Sequence, residues 1–438
     1  MLARSICRQA ARARFVTAAR PTSRRHASSA VAFKWEDPLN LANFLTEEEQ
    51  AIEETARSYC QERLLPRVLE AYRKEEYDRN ILKEMGELGL LGATIQGYGC
   101  AGVSNVASGL ITREVERVDS GYRSGMSVQS SLVMGPIHDF GTQEQKDRWL
   151  EKLGKGQLVG CFGLTEPNHG SDPGSMETTA KPHPSKEGYY SLSGAKTWIT
   201  NSPIADVLVV WAKLQETGKI RGFVIERDQC PPGTLETPQL KDKNGLRASI
   251  TGMIQLDECP VPKENMFPDI EGLKGPFSCL NSARFGIAWG TMGALEDCIS
   301  RAREYALERK QFKNNPIAKY QLVQKKLADA LTDAAFGLAA AYQVGRLKDE
   351  GKPLSMLAIY RRSLAATLLA TRQSDIHALI LGRAITGIQA FVYGSSGPHL
   401  YLGTWVRKLS GNLKPIIAYG PNIESHLPAR LTSRGIGY

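Results

Sequence analysis

The sequence predicts an α+β protein in which a β-rich middle block separates two helical blocks. Apolar residues keep a helical period over residues 45–156 and switch to a period of two over residues 160–271. The helical period returns from residue 277. No βαβ alternation is present, which disfavours a doubly wound dinucleotide fold.

Taken in order, the first helix opens at Thr46-Glu-Glu-Glu, and Ile52 and Ala56 continue its apolar face. A second covers residues 81–91 and is closed by Gly92, and residues 105–118 and 130–140 supply more. In the middle block, Tyr189-Tyr-Ser-Leu-Ser-Gly, Val207-Leu-Val-Val-Trp-Ala and Arg221-Gly-Phe-Val-Ile-Glu read as strands separated by Gly, Pro and Asp. Residues 287–307 and 320–347 read as the long helices of the third block.

Residues 160–201 concentrate the chemistry. Each end of this stretch is a short apolar or β-branched run that breaks into small polar residues, with Pro167, Asn168 and Gly170 supplying turns. Thr165, Ser171 and Thr200 offer hydroxyls, and Trp198 offers an aromatic wall. That set suits a planar, polar-edged cofactor, against the plainer reading of two ordinary strand–turn junctions.

Charge narrows the function. Of the net +9, residues 1–33 carry +7 and residues 392–438 carry +4, which leaves the body at −2. A near-neutral body lacks the basic face that phosphate-backbone binding requires, so nucleic acid is disfavoured as a partner. Residues 1–33 hold seven Arg and no acid, with Arg4, Arg8 and Arg12 on one helical face. They read as a mitochondrial transit peptide and place the protein in the soluble matrix. No run approaches the ~18 apolar residues of a membrane span. The eight cysteines show no CxxC pairing or ligand spacing and read as reduced core thiols, with no metal site.

Phe162-Gly-Leu-Thr-Glu-Pro with Gly170-Ser-Asp, Lys196-Thr-Trp-Ile-Thr-Asn, and Gln321-Leu-Val-Gln-Lys-Lys-Leu-Ala-Asp resemble the acyl-CoA dehydrogenases in order and spacing. Cys60-Gln-Glu-Arg, Gly97-Tyr-Gly-Cys-Ala-Gly-Val-Ser, Glu116-Arg-Val-Asp-Ser-Gly-Tyr-Arg-Ser, and the run from Asp375 to Gly387 are most similar to the glutaryl-CoA members of that family.

The resemblance implies an N-terminal helical domain over residues 45–156, a flavin-cradling β-domain over 160–271 and a C-terminal helical domain over 277–391. It implies FAD, contacted by Phe162, Leu164, Thr165, Trp198, Ile199 and Thr200, with Ser171 at the CoA or adenylate end. Arg309, Phe312 and Gln321 match positions that reach the FAD of a neighbouring subunit in a homotetramer, and Lys313 stands where the family usually has Gly. Glu116, Arg123, Ser124, Ser171, Phe277, Leu280, Asn281 and Arg284 match thioester-binding positions, with Arg123 meeting the distal carboxylate of glutaryl-CoA. The implied reaction is oxidative decarboxylation to crotonyl-CoA, with electron-transferring flavoprotein as acceptor.

One departure bears on catalysis. The family's base is a Glu in a Tyr-Glu-Gly-Thr run before the Asp-Ile-His-Ala helix, and counting back from Asp375 places Thr371 there. A threonine hydroxyl is not basic enough to take an α-proton near neutral pH. Residues 354–373 hold no acid, Asp375 is the nearest carboxylate, and His377 matches a structural helix histidine. From this the C-terminal bundle is expected to be truncated, with its catalytic segment missing and residues 392–438 forming an unrelated, disordered tail. The alternative function is then a catalytically silent flavin- and CoA-binding variant.

Overall fold

The computed structural model describes residues 33–352. The transit-peptide reading, the tail, Thr371 and Asp375 therefore lie outside the described residues.

Helix α1 (Glu47–Tyr59) starts where the sequence places it. Thr46 and Glu49 close a reciprocal capping box, which satisfies two of the orphan donors at the helix start. A π-helical turn (Cys60–Leu64) carries it into α2 (Leu65–Lys74). After α3 (Asn80–Glu87) the chain reaches α4 (Asn105–Val118), capped by Ser104. Gly97-Tyr-Gly-Cys-Ala-Gly has the spacing of a dinucleotide loop, yet it joins two helices and no strand precedes it.

The expected helix over residues 130–140 begins ten residues earlier. It runs as α5 (Ser120–Ser127), a π-helical segment (Val128–Met134) and α6 (Gly135–Phe140). Period counting at 3.6 loses a helix that changes its winding. Helix α7 (Gln143–Gly154) completes the first block with a second capping box, Thr142 with Gln145.

The sheet comprises β1 (Gly160–Gly163), β2 (Thr179–Pro182), β3 (Tyr189–Thr200), β4 (Val207–Leu214), β5 (Ile220–Glu226), β6 (Leu235–Glu236) and β7 (Thr251–Pro262). Strand β4 lies between β1, parallel to it, and β5, antiparallel to it, and its far end pairs with β2. Its nearly unbroken buried run reflects cover on both faces. Strand β3 pairs with β2 and, over its full length, with β7. The sequence reading did not name β7, although buried Ile254 and Leu256 alternate with exposed Gln255 and Asp257.

The third block begins with two long helices, α8 (Lys274–Glu308) and α9 (Gln321–Asp349). A short hairpin of β8 (Lys310–Gln311) and β9 (Asn315–Pro316) links them. Helix α8 starts well before the 287–307 read from sequence, while α9 matches 320–347 to within two residues. Trp289, Met292 and Leu338 pack with Val106 and Leu110 of α4 in one apolar cluster.

Helices α4 and α8 cross at glycines. A Cβ on Gly293 would sit 2.0 Å from the Arg113 carbonyl oxygen, and one on Gly290 would sit 2.4 Å from Glu116 Oε2. Beside this crossing Arg113 donates to Glu296 through Nε (2.9 Å) and Nη2 (2.8 Å), and to Glu53 of α1 (2.6 Å). Replacing Gly293 with Ala gains about 1 kcal/mol of helix propensity. The backbone clash opposes it by roughly 1–3 kcal/mol or more. The clash involves backbone, which cannot swing aside, so it prevails. Gly293→Ala is expected to lower the denaturation midpoint at unchanged m-value; equal or higher stability would contradict the packing described.

Candidate functional site

The site is assembled where β1, the loop after it, the end of β3 and helix α5 meet. Buried Gln129 starts the assembly. Its amide donates to the carbonyls of Leu153 (2.9 Å) and Leu158 (2.8 Å), and its oxygen accepts from Gly160 N–H (2.7 Å). The first residue of β1 is thereby tied to the helical block.

Beyond β1 the chain leaves the sheet through Thr165 and Glu166. Lys196 of β3, wholly buried, donates to Glu166 Oε1 (2.8 Å) and to the Leu164 carbonyl (3.3 Å). Glu166 also accepts backbone N–H bonds from Glu177 (2.6 Å) and Thr178 (2.9 Å), and Thr197 N–H donates to the Thr165 carbonyl (2.9 Å). Two loops and a strand thus close on one carboxylate. Burial pushes the Glu166 carboxyl up, but the Glu177 N–H, the Lys196 ammonium and Thr178 outweigh it and hold it at about 2. Burial pulls Lys196 down to about 8 despite the carboxylate beside it.

This closure shapes what β3 presents. Its register against β7 slips between Lys196 and Ile199, and Trp198 sits in the bulge at φ 60. The indole is 64% exposed, an unusual setting for so large an apolar ring. Phe162 and Leu164 are buried, Thr165 and Thr200 half-buried, and Ser171 exposed. The Ile199 side chain lies in the sheet core. An exposed aromatic face flanked by hydroxyls and turn residues fits a planar, polar-edged ring system such as a flavin.

Helix α5 arrives from the other side. Ser124 Oγ lies 3.5 Å from Thr200 Oγ1, which brings two expected site residues together across 76 positions. Asn201, buried and at φ 69, donates to the carbonyls of Gly125 and Gly160, each at 3.3 Å. Asn201 and Gln129 were not singled out from sequence as positioning residues. Asn201 closes the Lys196-Thr-Trp-Ile-Thr-Asn run, a turn-forming residue directly after β-branched ones, but no role followed from that.

Next to Ser124, buried Arg123 donates through Nε to Glu116, which is fully buried at its side chain and also accepts from Ser120. Among the described residues the two terminal amino groups of Arg123 have no hydrogen-bond partner. On α8, Phe277 and Asn281 are exposed while Leu280 and Arg284 are half-buried. Burial pulls Arg284 down, and it donates to Asn281 Oδ1 (3.1 Å).

Arg309, Phe312 and Gln321 are exposed and stand apart from the sheet site. Phe312, Lys313 and Asn314 all take left-handed φ (47, 66 and 62), so the Lys occupies a conformation that Gly adopts without strain.

The acyl-CoA dehydrogenase N-terminal, middle and C-terminal domain models match residues 46–157, 161–259 and 271–384. The mitochondrial short-chain specific acyl-CoA dehydrogenase of Mus musculus is 33% identical over 77% of this chain and 81% of its own length. The chain belongs to the acyl-CoA dehydrogenase family. Its cofactor is FAD, and its fold is that of the acyl-CoA dehydrogenases.

A glutaryl-CoA dehydrogenase from Mycobacterium smegmatis is 40% identical, with a TM-score of 0.75 over 82% of this chain and 99% of that one. A second structure, titled as the Mycobacterium smegmatis glutaryl-CoA dehydrogenase in complex with FADH2, is 36% identical, with a TM-score of 0.74 over 81% and 98%.

The C-terminal match corrects an expectation from the sequence. The C-terminal catalytic domain of this acyl-CoA dehydrogenase is present, not truncated, and the matched range takes in residues 354–373. Counting back from Asp375 had read a change of local sequence as a loss of structure.

The Glu166–Lys196 closure has a pH signature. Glu166 titrates well below its ordinary 4.5, so its contribution to stability is fully present above pH 4.5. It is lost as pH falls towards about 2. Glu166→Gln is expected to flatten stability against pH in that window. Lys196→Met, which leaves the buried carboxylate unpaired, is expected to cost about 3–5 kcal/mol at pH 7. Urea unfolding from the acid range up to neutral pH checks both, and an unchanged slope in Glu166→Gln would contradict the assignment.

Proposed function

We propose that the chain is a mitochondrial matrix glutaryl-CoA dehydrogenase that oxidises glutaryl-CoA at its α,β bond and releases CO2 to leave crotonyl-CoA. It works as a homotetramer and passes its electrons to electron-transferring flavoprotein. FAD, when bound, supplies the two-electron acceptor for this oxidation.

The observation that carries the substrate assignment is the buried Glu116–Arg123 pair. Glu116 takes Nε, which fixes the plane of the guanidinium and leaves its terminal amino groups for a second carboxylate. The distal carboxylate of a five-carbon diacid fills that role. A plain acyl chain of similar length would leave the terminal amino groups of Arg123 without a hydrogen-bond partner, and a site built around a charged hydrogen bond rejects such analogues strongly. Ser124, beside Thr200, places this end of the thioester close to the flavin face formed by Phe162, Leu164, Thr165, Trp198 and Thr200. Phe277, Leu280, Asn281 and Arg284 extend along α8 as a track for the CoA chain. The exposed Phe312, with Arg309 and Gln321, suits contact with the flavin of a neighbouring subunit.

Thr371 in the family's base position favours a second reading, a chain that holds flavin and thioester without turning over. Thr371→Glu discriminates the two. If the silent reading holds, the variant gains turnover of at least ~10²-fold over a parent that leaves its flavin oxidised with glutaryl-CoA. A parent chain that already turns over glutaryl-CoA overturns the silent reading.

The substrate assignment is tested without relying on turnover. Arg123→Lys keeps the charge and loses the fork. Equilibrium binding to the FAD-loaded chain should show glutaryl-CoA weakened about 10–100-fold and butyryl-CoA changed by less than about threefold. Equal losses for both thioesters would contradict the role given to Arg123.

A further inference from the structure

Two of the cysteines that read as reduced core thiols come together in space. Cys230 follows the short turn after β5, Cys259 lies in β7, and their sulfurs are 3.5 Å apart. We propose that Cys230 and Cys259 are a redox-active dithiol, a modification site at which a low-molecular-weight disulfide such as oxidised glutathione converts two thiols into one disulfide.

The two sulfurs differ in access and in charge. Cys259 is fully buried, while Cys230 is half-buried, so a reagent from solvent meets Cys230. The hydrogen bond to Cys259 and burial push the Cys230 thiol up. Cys230 and the Thr234 hydroxyl hold Cys259 below its ordinary value although burial opposes them. Access alone makes Cys230 the entry point, since its raised thiol slows the first attack, while the lowered Cys259 suits the resolving thiolate.

In the first step Cys230 Sγ attacks one sulfur of the small disulfide, forming a mixed disulfide and expelling one thiolate. In the second, Cys259 Sγ attacks Cys230 Sγ, forms the internal bond and expels the second thiolate. The protein loses two electrons and two protons, and the small disulfide gains both as two thiols. The sulfurs need to close by only ~1.5 Å to reach bonding distance, and both belong to or pack against the same apolar cluster of the sheet.

The bond would staple a segment that matters for the site. Between the two cysteines, Gln239 donates to the Glu75 carbonyl (3.2 Å), Asp242 N–H donates to Glu75 (2.8 Å), and Arg247 pairs with Glu75 (2.5 Å). Ile250 in the same segment accepts from Asn201 N–H (2.8 Å), one residue after Thr200. Closing this loop covalently restricts its unfolded ensemble and raises the unfolding temperature.

The FAD-loaded full chain is incubated with oxidised or reduced glutathione, quenched under denaturing alkylation and mapped by mass spectrometry. Cys230 and Cys259 should both escape alkylation after oxidation, whatever becomes of the exposed Cys298. A Cys230–Cys259 linkage should be recovered, it should reverse with dithiothreitol, and the oxidised form should melt higher. Cys230→Ser should abolish both the linkage and the melting shift, and Cys259→Ser should stop the reaction at the mixed disulfide. Full alkylation of both cysteines after oxidation, or a stable mixed disulfide on Cys230 in the parent chain, would overturn the proposal.

Discussion

The buried Lys196–Glu166 pair is the constraint on which the site depends. An ammonium and a carboxylate removed from water are tolerated only where each is fully satisfied. Here the remaining valences are met by backbone groups of both loops. The pair therefore fixes geometry more than it adds stability. It forces the chain after β1 to turn back onto β3, and the same closure leaves Trp198 facing outward from a bulge. An aromatic face exposed by so much buried bonding is a surface made for a ligand.

The second half of the site rests on close approach between helices. Gly290 on α8 leaves room for the Glu116 carboxylate, which in turn orients Arg123 on the following helix. Helix α4 is held to α8 by the Arg113–Glu296 fork, so the position of Glu116 is set by both packing and charge. Asn201 and the Ser124–Thr200 contact join this helical half to the sheet half. The two halves also share one apolar core, in which Tyr122 and Met126 of α5 belong to the same cluster as Phe162 and Leu164.

Much of this was legible in the sequence because it is local. Thr46-Glu-Glu-Glu announced a helix start, residues 105–118 a helix that the structure reproduces, and Val207-Leu-Val-Val-Trp-Ala a strand. The two motif runs around residues 162–172 and 196–201 pointed to one site because their residue types were unusual together. What escaped is non-local. The Glu166–Lys196 pair spans 30 residues and the Cys230–Cys259 contact 29, and no spacing rule links them. The π-helical turns escaped because a period of 3.6 cannot register them. The expected truncation of the third block failed for a related reason. It was inferred from what a short run lacked, whereas the domain match rests on the whole of residues 271–384.

The outward indole of Trp198, held by the Glu166–Lys196 closure, is proposed as one wall of the FAD site. Titrating flavin-free protein with FAD, and following the visible absorption of the bound form, measures that claim directly. One FAD per chain is expected, with affinity at least ~10-fold weaker in Trp198→Ala, about 1.4 kcal/mol of stacking. Circular dichroism should be unchanged in the variant, because the exposed ring takes no part in the cores. FAD affinity unaffected by Trp198→Ala, in a chain that still folds, would contradict the account.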